Sequence, residues 1–271
     1  MEKKYQDAIA FEFQKCIEDT IYILFANSNR KRSLIDPFKK TILSKEILFW
    51  IHFEKVFNKS FNKNHVGKIS KYLLLANGAE KANVQKSSII TLSKEEITNI
   101  KRHISLLALN KLNRKPCWTK DLRSVKVHQP IRNFKLKITT DLWFEKKDVE
   151  TFIYLFGGKP SKGQLIQAKE NLLQLKLAYP HCTTLIALYH NPFGKEKETY
   201  RYNPPFEVFD ILNDDNILIG KKYWDTIGGE GSYEQVLEIS RNVRKSYLNK
   251  VEELIKEFEI FGSLPTFDTI Q

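Results

Sequence analysis

An α/β protein with a largely helical amino-terminal half is the fold class that the sequence predicts. Three observations predict it. Residues up to about 110 place apolar side chains at helical spacing; residues 134–188 read as strand, strand, helix, strand; and the chain returns to helix from Ser232. The expected division is a helical region over 1–130 and an α/β core with carboxy-terminal helices over 131–271.

In the amino-terminal half, "YQDAIAFEFQKCIEDTIYILFAN" puts Ile9, Phe13, Cys16, Ile17, Ile21 and Leu24 on one helical face. "SKEILFWIHFEKVFNKSF" opens with Ser44 as an N-cap and continues with Phe49, Phe53, Val56 and Phe57. Two further helices are expected from "HVGKISKYLLLANGAEKAN" and "SKEEITNIKRHISLLALNKLN", the latter with Ser93 and Glu96 at capping-box spacing. Pro116 and Pro130, with scattered basic residues between Arg114 and Arg132, mark a connection.

The texture then changes. "FKLKITTDLWF" and "VETFIYLF" alternate and are rich in β-branched and aromatic residues, so they read as strands joined by a hairpin over Glu145–Asp148. "SKGQLIQAKENLLQLKLAY" reads as an amphipathic helix capped by Ser161, with Leu165, Ala168, Leu172 and Leu175 as its apolar stripe. "CTTLIALYHNPF" supplies a third strand, and "SYEQVLEISRNVRKSYLNKVEELIKEFEIF" the last helix. Trp143 and Trp224 read as core residues, and Gly228, Gly229 and Gly231 as a turn before that helix.

With 271 residues and a net charge of +12, the chain can bury a sizeable core and still present a strongly basic surface. That charge points to a polyanionic partner, with a lysine-rich solubilising surface as the plainer reading. Three widely separated cysteines form no CxxC pair, which argues against a zinc site or a disulfide framework and for a reducing, cytoplasmic setting. The amino terminus lacks the apolar run of a secretory signal, and "TIYILFANS" is too short to span a membrane. The six histidines show no ligand spacing.

Phosphodiester hydrolysis needs charge neutralisation at the phosphate and an activated water, which a hard divalent cation on carboxylates supplies. An acid at the end of one strand and acid-x-lysine on its neighbour would deliver these groups, because residues two apart on a strand face one cleft. Asp141, after "LKITT", suits the first position, although a solvated strand-end aspartate would look the same. Glu150 is followed at i+2 by Phe152, and Glu145 with Lys147 falls in the turn. Gln164, Gln167, Asn171 and Gln174 form an amide stripe that suits either a DNA-facing cleft or plain solvent. Lys159 and Lys162 stand where a helix N-terminus would help bind phosphate.

The runs "DLWFEKKDVE", "KPSKGQLIQAKENLLQLKLAYP", "YHNPFG", "YNPPF" and above all "ILIGKKYWDTIGGEGSYEQVLEI" resemble type II restriction endonucleases of the TdeIII-like family. So do "FEKVFNKSF" and "GKISKYLLLANGAEKA", and the resemblance extends over nearly the whole chain. It implies a PD-(D/E)XK-like nuclease core, Mg²⁺ as cofactor, and cleavage of duplex DNA at short GGNCC-like palindromes. It also implies a homodimer and a companion DNA methyltransferase acting on the same site. Asp141 matches the family's first metal-binding acid. Counting back from Lys159-Pro160, the family's acid falls on Tyr154 and its lysine on Phe156, so the motif is degenerate here. Displaced groups are then Glu150 or Glu170 as second carboxylate and Lys159 as the lysine, with Lys159, Lys162, Gln164 and Gln167 toward DNA. The expectation is a restriction endonuclease with weakened or lost cleavage. The alternatives are a non-catalytic DNA-binding relative and an RNA-binding or structural protein.

Overall fold

A computed structural model describes residues 1–28, 37–109, 114–202 and 208–261. The chain forms two compact units, one from Met1–Ile69 with Glu234–Gln271 and one from Ser70–Tyr233. The expected division at 130/131 therefore does not match. The reason is a strand that composition hides. Residues Lys81–Leu92, in the half expected to be helical, form β1 and pair with the strand that carries Asp141.

The first unit is helical, with α1 (Lys3–Ser28), α2 (Pro37–Ile42) and α3 (Lys45–Ser60), a π-helical turn (Phe61–His65), and the start of α4 (Val66–Ala76). Ser44 caps α3, accepting from the Ile47 N–H. Leu24, Phe49 and Val56 form a small core, and Phe53, Phe57, Phe61 and Phe13 stack in a column. His65 is buried with Nδ1 2.9 Å from Glu12 and Nε2 3.4 Å from Asp19, a tie between α1 and the π-turn.

The second unit holds a five-stranded mixed sheet in the order β1–β2–β3–β4–β5. After β1 come α5 (Lys94–Ala108), α6 (Trp118–Val125), β2 (Phe134–Lys146), β3 (Val149–Phe156), α7 (Lys162–Ala178), β4 (Thr183–Leu188), β5 (Ile217–Ile219) and α8 (Lys221–Gly228). Strands β1, β2 and β3 run antiparallel, whereas β3–β4 and β4–β5 are parallel. The parallel β3–β4 pair is joined through α7, the crossover such a pair requires. The last helix, α9, runs Ser232–Phe261. The "YNPPF" segment lies largely outside the described residues.

Local chemistry explains these boundaries. Ser93 with Glu96 and Ser161 with Gln164 close reciprocal capping boxes at the starts of α5 and α7. The β2–β3 hairpin turns on two residues, Lys147 and Asp148, both at positive φ (53° and 59°). A two-residue turn of that kind suits the right-handed twist of its strands, so the connection is tighter than the expected four residues. Before α9, Gly229 and Gly231 take φ of 91° and 80°. Asp225, on α8, accepts the Tyr233 N–H at 3.0 Å in the first turn of α9.

The even-numbered side chains of β3, Phe152, Tyr154 and Phe156, face a core shared with Leu165, Ala168, Leu172 and Leu175 of α7. One fully buried cation lies beside this core. Lys169 Nζ reaches Asp121 Oδ2 at 2.5 Å and stands 4.4 Å from the Phe209 ring centre and 5.1 Å from that of Trp118. Asp121 Oδ1 is 2.9 Å from His103 Nε2, and its Oδ2 also accepts the Cys117 N–H. One carboxylate thus joins α5, α6 and α7. His103 Nδ1 faces Arg114, which can only donate, so the imidazole donates its proton from Nε2 to Asp121.

Burial works to raise the Asp121 pKa, but hydrogen bonds and charge from His103 and Lys169 outweigh it and hold it below the usual carboxylate range. Because the folded value is depressed, its contribution to stability is present above the unfolded value near 3.8 and is lost as pH falls through the folded value. Asp121→Asn leaves the Lys169 ammonium buried without a counter-charge. The expected loss is about 3–5 kcal/mol in urea denaturation at neutral pH. The variant's stability should also fall less steeply below about pH 4.

Candidate active site

The β1–β2 ladder pairs Val84 with Leu142 and Lys86 with Thr140 but skips the pair between them, Gln85 and Asp141. Gln85 takes φ of +53°, which lifts it out of regular strand geometry. The β2–β3 ladder likewise reaches Leu142↔Ile153 and stops, and one more residue in that register would set Asp141 opposite Tyr154. Asp141 therefore lies where both ladders of the same strand break. It is buried, and its side chain makes good part of what the backbone lacks: Oδ2 accepts the Leu155 N–H at 2.9 Å, and Oδ1 accepts from Gln85 Nε2 at 3.2 Å.

Tyr154 fills the facing position on β3. Its hydroxyl donates to the Thr139 carbonyl at 2.9 Å and accepts from Asn171 Nδ2 of α7 at 2.6 Å. Burial pushes its pKa up to about 12, with the Asn171 hydrogen bond opposing and the Asp141 charge adding to the rise. The phenol therefore stays neutral near pH 7 and supplies no charged ligand. Phe156 is buried in the main core with Leu188 and Ile219. A lysine at that position would bury its charge there.

The other expected groups are dispersed. Glu150 pairs with Glu145, four residues beyond Asp141, or about 13 Å along the strand. Its carboxylate accepts from Trp143 Nε1 at 3.1 Å, beneath the stack of Lys86 Nζ on that indole. The structure thus does not bring Glu150 to Asp141. Glu170, on α7, accepts from Gln174 at 3.2 Å and is the sequence neighbour of Asn171, which touches Tyr154. Lys159 is exposed just past β3, with Nζ 5.6 Å from the Phe193 ring centre. The turn before it is tightly packed, since a Cβ on Gly158 would meet Pro192 Cδ at 2.6 Å. Lys162 reaches the Ala108 carbonyl at 3.3 Å.

The amide stripe divides. Gln164 is engaged in the Ser161 capping box, Gln167 bonds Asn171 at 3.0 Å, and Gln174 is buried. Only Gln164 and Gln167 of the four remain exposed. Sequence reading passed over Gln85; its signal was a lone glutamine in a stretch that had been assigned no strand.

Among the described residues no group of three His, Cys, Asp or Glu side chains is placed to hold a metal ion. Mg²⁺, however, commonly takes one or two protein carboxylates and completes its shell with water and substrate phosphate. A carboxylate offers about four acceptor directions. Asp141 is thus a carboxylate of the kind that could share a single Mg²⁺ with water, without the second carboxylate of a preformed cage among the described residues.

Tyr154→Phe should lower stability by about 1–3 kcal/mol, because the Asn171 amide and Thr139 carbonyl lose their shared partner in a buried place. Urea denaturation of the two proteins measures this, and equal midpoints would show that the hydroxyl does not hold α7 to the sheet.

Comparison with known proteins identifies the family. The profile of the family described as "Type II restriction endonuclease, HinfI" matches residues 1–244. The type II restriction enzyme HgiCII of Herpetosiphon aurantiacus is 29% identical over 125 residues, 44% of each chain. HgiBI of the same organism is 30% identical over 112 residues, 39% of this chain and 40% of its own. The chain thus spans under half the length of these curated relatives. No solved structure matches it. The sheet flanked by helices is consistent with a restriction endonuclease fold, and a family profile covering nine-tenths of a 271-residue chain (244/271) is decisive. The chain belongs to the HinfI family of type II restriction endonucleases.

Proposed function

We propose that the protein is a type II restriction endonuclease acting on duplex DNA at a short palindrome, GGNCC-like by its TdeIII-like resemblance, with hydrolysis impaired at the catalytic centre. The observation that carries this reading is the pairing of the acid that the resemblance marks as a metal ligand with an aromatic: Asp141 held at the strand break, and neutral Tyr154 facing it. The antiparallel β1–β2–β3 meander, followed through α7 by parallel β4, supports a PD-(D/E)XK-like core.

Asp141 would hold Mg²⁺ against the scissile phosphate, and the ion would supply charge neutralisation and an acidified water. The chain's own residues supply less than a full nuclease centre. Leu155 and Gln85 orient the Asp141 carboxylate. Lys159 offers an exposed cation for the developing phosphate charge, with Lys162, Gln164 and Gln167 beside it for the backbone. Glu170 is the remaining candidate for a second carboxylate, and Glu150 is a weaker one given its place at the hairpin. Losing an acid and the strand lysine should cost several kcal/mol of barrier, a rate loss of about a thousandfold or more.

Palindromic recognition implies a homodimer by matched two-fold symmetry. A restriction enzyme also implies a companion methyltransferase, in a cytoplasmic setting. No described helix is long and apolar enough to cross a membrane. The second reading, a non-catalytic DNA-binding relative, is favoured by the same Tyr154 hydroxyl, since its two hydrogen bonds occupy the place of the acid.

Cleavage of supercoiled plasmid carrying GGNCC sites in Mg²⁺ tests the proposal with three proteins. The natural chain should nick slowly, Asp141→Asn should remove what activity there is, and Tyr154→Glu should raise the rate at least about tenfold. A natural turnover in the ordinary enzyme range, about 1 s⁻¹ or faster, would contradict impairment. Residual cutting that survives Asp141→Asn would move the centre elsewhere.

A further inference from the structure

The edge of the sheet next to Asp141 has a face that the folded chain leaves open. Strand β1 is the terminal strand, and its ladder with β2 pairs Ser87 with Thr139, Ile89 with Lys137 and Thr91 with Lys135. On one side of this ribbon Ile90, Leu92 and Ile138 are buried in the main core. On the other, Gln85, Ser87, Ile89, Lys135, Lys137 and Thr139 are all exposed. Ser87 and Thr139 share a hydroxyl hydrogen bond at 2.8 Å, which fixes the pair side by side with one O–H left to donate outward. The strip ends at Gln85, whose amide bonds Asp141.

Its chemistry is one-sided. Residues 82–92 and 134–140 contain Lys86, Lys135 and Lys137 and no carboxylate, so Asp141 is the first acid met along β2. Among the described residues no ion pair engages Lys135 or Lys137. The outward positions carry cations, hydroxyls, an amide and the exposed Ile89, but no aromatic ring. That set suits phosphates of a duplex and not the stacking of single-stranded bases.

We propose that the outward face of the β1–β2 ribbon is a track for the backbone of duplex DNA, leading one strand to Asp141. This rests on the nuclease reading and adds a surface to it. At about 3.4 Å per residue, Lys137 and Lys135 stand about 13 and 20 Å along the strand from Asp141. Both lysines lie within one helical turn of duplex, about 34 Å, of a phosphate held at Asp141. The track sets register and affinity on that side of the cut, while sequence is read by other groups.

The test is anisotropy of a fluorescent duplex titrated with the full chain in the absence of metal, over about 50 to 300 mM salt. Lys135→Gln/Lys137→Gln should weaken binding at least about tenfold near 100 mM salt and reduce the log–log salt slope by about two. Lys94→Gln/Lys101→Gln, an equal loss of charge from exposed positions of α5, should leave the slope unchanged. All three proteins should melt at matching temperatures, since the altered side chains are exposed. A ribbon variant that keeps the natural slope, or falls no further than the α5 variant, overturns the track while leaving the nuclease reading standing. A natural chain that binds no duplex, or prefers single strands, overturns both.

Discussion

The hydrogen bond from the Leu155 N–H to the Asp141 carboxylate is the contact on which the site's geometry depends. Strand β2 is paired on both sides, and both pairings lapse at the same residue. A backbone N–H left unpaired inside a sheet costs as much as a lost hydrogen bond. A carboxylate there is thus a structural answer to a gap in the ladder. The same gap turns the side chain out of the regular alternation, with Gln85 at positive φ completing the distortion. Strand breaks of this kind re-aim a side chain, and here they aim the acid that the family resemblance marks as a metal ligand.

What faces Asp141 decides how much chemistry follows. A carboxylate on β3 would create a second negative group a few ångströms away, tolerable only with a cation between them. Tyr154 removes that repulsion and ties β2 to α7 through Thr139 and Asn171. Tyr154 at this position is therefore coherent with a stably folded sheet. Phe156 packs into the same core with Leu188 and Ile219.

Much of the frame was legible because its signals are local. The capping box at Ser93, the helix start at Ser161, strand β3 and helix α9 announce themselves within a few residues. Strand β1 did not, because "KANVQKSS" has little β-branched or aromatic content: its outward face is polar, and it is a strand mainly because β2 pairs with it. The two-residue hairpin was obscured by Lys147 and Asp148, neither the asparagine nor the glycine that such turns favour. The buried network eluded the sequence for a different reason. Lys169 lies 48 residues from Asp121, and on a helix wheel it looks like one more solvated lysine. Asp141 was legible as a residue type at a strand end, but not its burial or its partner Gln85, since both depend on long-range register.

The most direct measurement is the anomalous-scattering map of the protein crystallised with a GGNCC duplex and Mn²⁺ standing in for Mg²⁺. The account predicts a single metal peak within coordinating distance of an Asp141 oxygen and of a DNA phosphate, with Tyr154 outside its shell. A peak centred on other side chains, with Asp141 outside its shell, would contradict it.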